Sequence, residues 1–234
     1  MVNELASVMF LNQDQIQVQA VRFARAATAE QALFRILAAK DSGIQTAADL
    51  KGVPVGVSQA TIIEYLTERL LQAEGLSGDE IQVVAIPKIP DRLALLGSGE
   101  LKAAMLPEPF STLAVQQGGK VVLDDTLRPE YSFSLITFRK AVIDQHPQAV
   151  RAFLAAIEEA VSLINADPQK YSSLMVEQKM VPAPLAESFK VPTYPLKGVP
   201  SQAQFDDALA WVKEKGYLNK DLSYTDCVNG SLLP

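Results

Sequence analysis

The sequence is poor in the residues on which many catalytic and metal sites depend. Cys227 is the single cysteine and His146 the single histidine among 234 residues. One cysteine excludes an internal disulfide and a cysteine-rich metal site, and one histidine excludes a histidine-rich metal site. No Gly-x-Ser-x-Gly turn accompanies His146, so the pattern of a serine hydrolase is missing. We therefore expect no catalytic residue, no metal and no cofactor.

Long apolar runs and clusters of basic residues are also missing. No apolar run approaches the roughly 18 residues that a membrane-spanning helix requires. The chain has 21 Lys and Arg against 27 Asp and Glu, which gives a net charge of −6. An acidic chain without a basic cluster is a poor partner for nucleic acid, and we expect none. Hydrophobic residues make up 48% of the chain, enough for a packed core, which excludes disordered and fibrous classes.

The apolar pattern predicts strands that alternate with helices. Residues 16–23 alternate apolar and polar side chains as a strand does, whereas residues 62–73 place theirs at helical spacing. This order implies βαβ units, an α/β fold and mainly parallel sheets flanked by helices. The predicted strands are 16–23, 33–38, 53–57, 81–86, 101–106, 120–123 and 132–138, and the main predicted helices are 5–11, 62–73, 90–97, 110–117, 148–165 and 202–215.

Two turns follow predicted strands and precede predicted helices, where open α/β sheets bind ligands. The first holds Ser58, Gln59, Ala60 and Thr61, whose hydroxyls lie beside unsatisfied helix amides and suit an anion. The alternative is plain N-capping by Ser58 or Thr61, which the residues alone favour.

In the second turn, residues 107–110, Glu108 lies between two prolines and Phe110 follows the second of them. The prolines restrict the backbone and so fix the direction in which the side chains of Glu108 and Phe110 point. The alternative for Glu108 is a helix cap. A third group of candidates lies near the start of the chain. Asn3 and Glu4 precede the first helix and read as a polar terminus, and Arg25 and Thr28 follow a strand, where they either reach a ligand or are solvated.

Several segments in fixed order resemble periplasmic solute-binding proteins of ABC importers, in the group that binds sulfonates, taurine, nitrate or thiamine-precursor pyrimidines. Residues 40–57 are similar to the family's KDSGI–ADLKGK–VGV segment, and residues 95–104 resemble its L-x-S-G-E-x-D-A pattern. Residues 108–110 resemble its W-E-P turn, and residues 206–217 and 224–229 resemble its last helix and tail. Lys102 and Leu106 depart from the family pattern, which weakens any assignment of ligand class.

The resemblance implies a type II periplasmic-binding-protein architecture of two lobes with a ligand cleft. It places residues 1–38 and 135–234 in the first lobe and residues 39–134 in the second. The chain is expected to cross between lobes near residues 37–40 and 131–136, and ligand binding to close them about a hinge. In the family the strand end at Asn3 and Glu4 faces the cleft, so both become expected ligand contacts.

One departure concerns the start of the chain. Family members normally begin with a signal or lipoprotein peptide and several further elements of the first lobe, but residues 1–11 lack the pattern of a signal peptide. We read the first lobe as incomplete and its sheet edge as uncovered, so a homodimer, a swapped element or poor solubility is expected. A periplasmic or extracytoplasmic location is expected for the full-length protein.

The leading functional hypothesis is a binding protein, not an enzyme, that delivers a small polar or anionic solute to its cognate ABC permease. Ser58, Gln59 and Thr61 would hold the anionic end, and Glu108 would accept hydrogen bonds from ligand donors. The alternative is an enzyme of pyrimidine or menaquinone precursor synthesis on the same fold, which needs a His or Cys in the cleft. A detached ligand-sensing domain of a regulator ranks lower, since no DNA-binding flank is present.

Overall fold

The computed structural model describes residues 1–234 and has an α/β fold. Its strands are β1 (Val2–Asn3), β2 (Val18–Ala26), β3 (Phe34–Ala38), β4 (Pro54–Val57), β5 (Gln82–Ala85), β6 (Ala103–Pro107), β7 (Lys120–Asp124) and β8 (Phe133–Arg139). Its α-helices are α1 (Leu5–Leu11), α2 (Ile62–Ala73), α3 (Ile89–Ser98), α4 (Phe110–Gln116), α5 (Lys140–Gln145), α6 (Pro147–Ala166), α7 (Ser172–Glu177), α8 (Gln202–Glu214) and α9 (Tyr224–Cys227).

Local sequence signals account for the boundaries of α2 and for the start of α8. The side chain of Thr61 accepts a hydrogen bond from the amide of Ile63 and begins α2, and Gly75 follows the end of α2 with φ of 96°. Ser201 and Gln204 form a capping box at the start of α8. The predicted helix over residues 62–73 is confirmed, and the predicted strands are confirmed within a few residues of their ends.

The chain divides into two compact units. Unit 1 consists of Met1–Ala26, Phe133–Tyr171 and Val191–Pro234, and unit 2 consists of Ala27–Ser132 and Ser172–Lys190. The sequence expectation divided the chain at residues 38/39 and 134/135. Residues 27–38 fall in unit 2 because β3 pairs along its whole length with β6, and residues 172–190 also fall in unit 2.

Unit 2 contains a five-stranded sheet in the order β5-β4-β6-β3-β7. Strand β4 pairs in parallel with β5 and β6, whereas β3 lies antiparallel between β6 and β7. Helices α3 and α4 cover one face, where Leu37, Leu101, Ala104 and Leu106 form part of a buried cluster. Burial of such side chains is the main stabilising contribution to this unit.

Unit 1 contains a three-stranded sheet in the order β1-β8-β2, and both of its pairings are antiparallel. The expectation of mainly parallel sheets was therefore wrong: the sheets are mixed. Parallel neighbours need a long crossover, usually a helix, and only β4, β5 and β6 are related in that way. A buried cluster of Val21, Ile143, Val150 and Leu154 packs helices α5 and α6 onto this sheet. None of the helices is long and apolar enough to cross a membrane.

Candidate functional site

The turn after β4 begins the candidate site in unit 2. Residues Val55, Gly56 and Val57 are buried in the sheet, and the chain then leaves it at Ser58. The hydroxyl of Ser58 donates to the carbonyl oxygen of Pro87 at 3.1 Å. Gln59 is exposed. Ser58 is thus held against the segment that leads into α3, and Gln59 presents its amide to solvent.

Thr61 performs the capping role that the sequence offered as an alternative to ligand binding. Its Oγ1 accepts from the amide of Ile63 at 3.1 Å and donates to the carbonyl oxygen of Ser58 at 2.7 Å. Ala60 has φ of 56°, in the left-handed region that residues other than glycine rarely adopt. Its amide donates to Glu64 Oε2 at 2.7 Å. These bonds define the shape of the turn, and they occupy the Thr61 hydroxyl and the Ala60 amide.

The turn after β6 contains Glu108, whose carboxylate is paired within the unit. Glu108 accepts hydrogen bonds from Arg35 Nη1 and from Thr112 Oγ1, the latter at 2.8 Å to Oε2. Its amide donates to the carbonyl oxygen of Leu33 at 2.8 Å. The side chains of Arg35 and Glu108 are 24% and 17% exposed, so the pair is largely shielded from solvent.

The Arg35 pairing bears on the expected role of Glu108, which stays a predicted ligand contact. We expected Glu108 to accept hydrogen bonds from a ligand, or else to cap a helix. Helix α4 has Pro109 at its cap position and no side-chain cap, and the half-buried Phe110 begins it. Arg35 was not among the expected site residues, although a single arginine within the apolar strand β3 is a visible signal.

Sheet register brings the two turns to one edge. Gly56 lies opposite Ala104 in the parallel pairing of β4 and β6, and each strand ends a few residues later, before Ser58 and Glu108 respectively. The carboxyl ends of parallel strands meet at one edge, which is where open α/β sheets bind ligands. Arg35 on antiparallel β3 lies opposite Leu106 and brings a positive charge to the same edge.

The other expected contacts have partners within their own units. Asn3 Nδ2 donates to Thr137 Oγ1 at 2.7 Å in unit 1, and Glu4 accepts a hydrogen bond from the Ser7 hydroxyl at 3.3 Å. Arg25 is half-buried on β2 in unit 1. Thr28, at the start of unit 2, forms a local turn in which its Oγ1 accepts from the amide of Glu30.

Asp125 is a buried acid that the sequence analysis did not single out. Its carboxylate accepts hydrogen bonds from the amides of Leu33 and Phe34, at 2.9 and 3.0 Å, and from the hydroxyl of Ser132. Burial raises the pKa of Asp125 to about 6, although these hydrogen bonds oppose the rise. Asp125 therefore links the start of β3 to Ser132, which is the last residue of the segment Ala27–Ser132 of unit 2.

The single cysteine and the single histidine do not have the properties of a reactive Cys–His pair. Cys227 is fully buried in unit 1, and burial raises the pKa of its thiol to about 11. His146 is exposed at the junction of α5 and α6. A thiol with a raised pKa is a poor nucleophile at neutral pH. No group of three or more His, Cys, Asp or Glu residues is placed to hold a metal ion.

Comparison with known families gives one match over most of the chain. The profile of the family described as "NMT1/THI5 like" matches residues 7–171. The "Putative aliphatic sulfonates-binding protein" of Escherichia coli (strain K12) is 27% identical over 154 residues, which are 66% of this chain and 48% of that protein. The chain spans about half the length of the relatives it matches in sequence.

Solved structures share the fold. The "putative sulfonate ABC transporter, periplasmic sulfonate-binding protein SsuA" of Methylobacillus flagellatus KT has a TM-score of 0.75 at 18% identity, over 96% of this chain and 70% of that one. The desulfurization enzyme DSZB has a TM-score of 0.69 at 15% identity, over 98% of this chain and 82% of that one. The fold therefore occurs in a binding protein and in an enzyme.

Proposed function

The chain belongs to the NMT1/THI5-like family, and from that premise we propose that it acts as the solute-binding component of an ABC importer. The solute we propose is a small anion of the sulfonate type. Two similar proteins carry names that support this choice, the aliphatic sulfonates-binding protein and the periplasmic sulfonate-binding protein. A periplasmic location and delivery to a cognate permease are parts of the same proposal.

The pairing of Arg35 with Glu108 is the observation that carries the choice of an anion. A bare carboxylate at the carboxyl edge of β4 and β6 would repel a sulfonate and favour a ligand rich in hydrogen-bond donors. With Arg35 bonded to it, Glu108 adds no net negative charge to the edge. Arg35 Nη1 also lies 3.3 Å from Ser111 Oγ and 3.2 Å from Thr112 Oγ1, which keeps the guanidinium at that edge.

The turn after β4 supplies the polar contacts of the proposed site. The Thr61 hydroxyl and the Ala60 amide are bonded within the turn, so we assign direct contact to the side chain of Gln59, near the positive end of α2. Ser58 stays a predicted contact, which requires its hydroxyl to turn from Pro87 to the ligand. Phe110 would provide an apolar wall, as ligand pockets usually have. Asn3, Glu4, Arg25 and Thr28 stay predicted contacts.

No observation favours the enzyme alternative beyond the fold shared with DSZB. An enzyme built on a cysteine nucleophile would need a thiol that ionises readily, and the Cys227 thiol is buried with a raised pKa. Fold alone does not assign an activity. We therefore propose binding without turnover.

Isothermal titration calorimetry with ethanesulfonate, nitrate and an aminopyrimidine tests the proposal. We expect ethanesulfonate to bind most tightly, and the Arg35→Met variant to bind it at least tenfold more weakly, because Glu108 would then be uncompensated. The Arg35→Met, Glu108→Gln double variant should recover part of the loss. Preference for the aminopyrimidine, or unchanged sulfonate affinity in Arg35→Met, would contradict the proposal.

The predicted homodimer needs a separate measurement. Native mass spectrometry of the purified chain reports its oligomeric state and the mass of any small molecule that copurifies. A dimer would support the expectation of an uncovered sheet edge, and a monomer would contradict it.

A further inference from the structure

Arg92 in the first turn of α3 is fully buried, yet none of its three guanidinium nitrogens has a hydrogen-bond partner in the chain. Arg22 in unit 1 is equally buried, but it donates to Glu158 Oε1 at 2.7 Å and to the carbonyl oxygen of Pro195 at 2.9 Å. An unpaired buried charge is costly to the fold. The contrast indicates that Arg92 does not serve the stability of unit 2.

The charge on Arg92 persists at neutral pH. Burial lowers the pKa of its guanidinium to about 10, which leaves it protonated under ordinary conditions. The neighbouring acid, Asp91, is exposed and does not bond to the guanidinium. Unit 2 therefore contains a buried positive charge to which no acid is hydrogen-bonded.

Arg92 lies below the candidate site. Its Cγ and Cδ are 3.6 Å from the point where a Cβ on Gly56 would stand, and Gly56 precedes Ser58 by two strand residues. The Ser58 hydroxyl bonds to Pro87, two residues before α3 begins at Ile89. Helical side chains lean toward the N-terminal end of their helix, which here is the end beside Ser58.

We propose that Arg92 is the residue that makes this edge of unit 2 select anions over neutral molecules of the same shape. It acts through its field in a low-dielectric interior, without contacting the ligand, and this inference rests on the proposed sulfonate-binding function. Two residues of strand span about 7 Å, so the Arg92 side chain lies on the order of 10 Å from the Ser58 turn. At an effective dielectric constant of about 20, that separation corresponds to a roughly tenfold change in affinity for a monovalent anion.

Calorimetry with ethanesulfonate and the neutral ethanesulfonamide separates charge selection from a structural role. The Arg92→Met variant replaces the guanidinium with an apolar side chain of similar reach. We expect it to bind ethanesulfonate about tenfold more weakly and ethanesulfonamide within twofold of the wild type. Lys102→Met, which removes an exposed charge before β6 begins, is the matched control and should change neither affinity.

Stability provides an independent readout. Arg92→Met should unfold at the same temperature as the wild type or higher, because it removes an unpartnered buried charge. If this variant does not fold, or is clearly less stable, Arg92 supports the fold and the proposal is overturned. Arg92→Lys keeps the charge and should keep the preference for the sulfonate; loss of that preference in a folded Arg92→Lys variant would also overturn the proposal.

A second anion, sulfate, distinguishes a failure of the proposed function from a failure of the proposed role of Arg92. If the wild type binds neither probe, the proposed function is wrong, and sodium sulfate then tests Arg92 alone. Sulfate should raise the thermal midpoint of unfolding more in the wild type and in Lys102→Met than in Arg92→Met. That result would support anion selection by Arg92. Equal rises in all three, or equal loss of both probes in Arg92→Met, would overturn it.

Discussion

Replacing Asp125 by asparagine should remove a pH dependence that this single carboxyl imposes on unit 2. Its carboxylate is fully buried and accepts from the amides of Leu33 and Phe34 and from the hydroxyl of Ser132. Asparagine has nearly the same shape, but the Leu33 amide bonds to Oδ1 whereas the Phe34 amide and the Ser132 hydroxyl bond to Oδ2, so the NH2 group of asparagine faces one of the two amides. The substitution therefore removes the titrating charge at a cost in unfolding free energy that does not change with pH.

The magnitude follows from the pKa of Asp125, which burial raises from 3.8 to about 6. Between these values the folded chain binds more protons than the unfolded chain, so the free energy of unfolding falls as pH rises. The contribution is fully present below about pH 4 and is lost as pH rises through about 6. A shift of about two units corresponds to about 3 kcal/mol over that window.

Urea unfolding of the wild type and Asp125→Asn from pH 4 to pH 8 measures this effect. The difference in unfolding free energy between the two proteins cancels the other titrating groups. We expect the wild type to lose up to about 3 kcal/mol relative to the variant as pH rises. Parallel curves would refute the reasoning, and a difference that changes with pH in the opposite direction would show that the three hydrogen bonds outweigh burial. Asp125→Ala, which leaves two amides without an acceptor, should destabilise at every pH.

Two further predictions concern the elements that shape the site. Thr61→Ala should destabilise the chain by about 1 kcal/mol because Ile63 loses its acceptor, whereas Thr61→Ser should lose clearly less; equal losses in urea unfolding would contradict the capping role. Gly56→Ala should destabilise by about 1–3 kcal/mol, because the new Cβ would lie 2.6 Å from Leu101 Cδ2. In a double-mutant cycle Leu101→Ala should offset part of that loss, and simple additivity would count against the clash.

The candidate site was only partly predictable from the sequence. The positions of Ser58 and Glu108 after predicted strands were enough to place both turns at a strand end. The partner of Glu108 was not predictable, because Arg35 and Glu108 are far apart in sequence and meet only through the antiparallel pairing of β3 with β6. That pairing is the reason why, of the polar or anionic solutes that the sequence left open, we propose an anion.

Local signals determined the helices and strands. Helix α2 begins and ends where its threonine cap, apolar spacing and glycine indicate, because each of these acts within a few residues of chain. The composition also determined that the chain cannot form an internal disulfide, because it has one cysteine, or a histidine-rich metal site, because it has one histidine.

Tertiary structure alone decided strand direction, charge pairing and burial. The apolar pattern of β3 is the same whether the strand runs parallel or antiparallel, so the mixed sheet could not be read from it. Arg92 has the sequence surroundings of a surface arginine one turn into a helix, and only packing against β4 buries it. Its burial depends on contact with Gly56 of β4, which is distant in sequence and reaches Arg92 only in the folded unit.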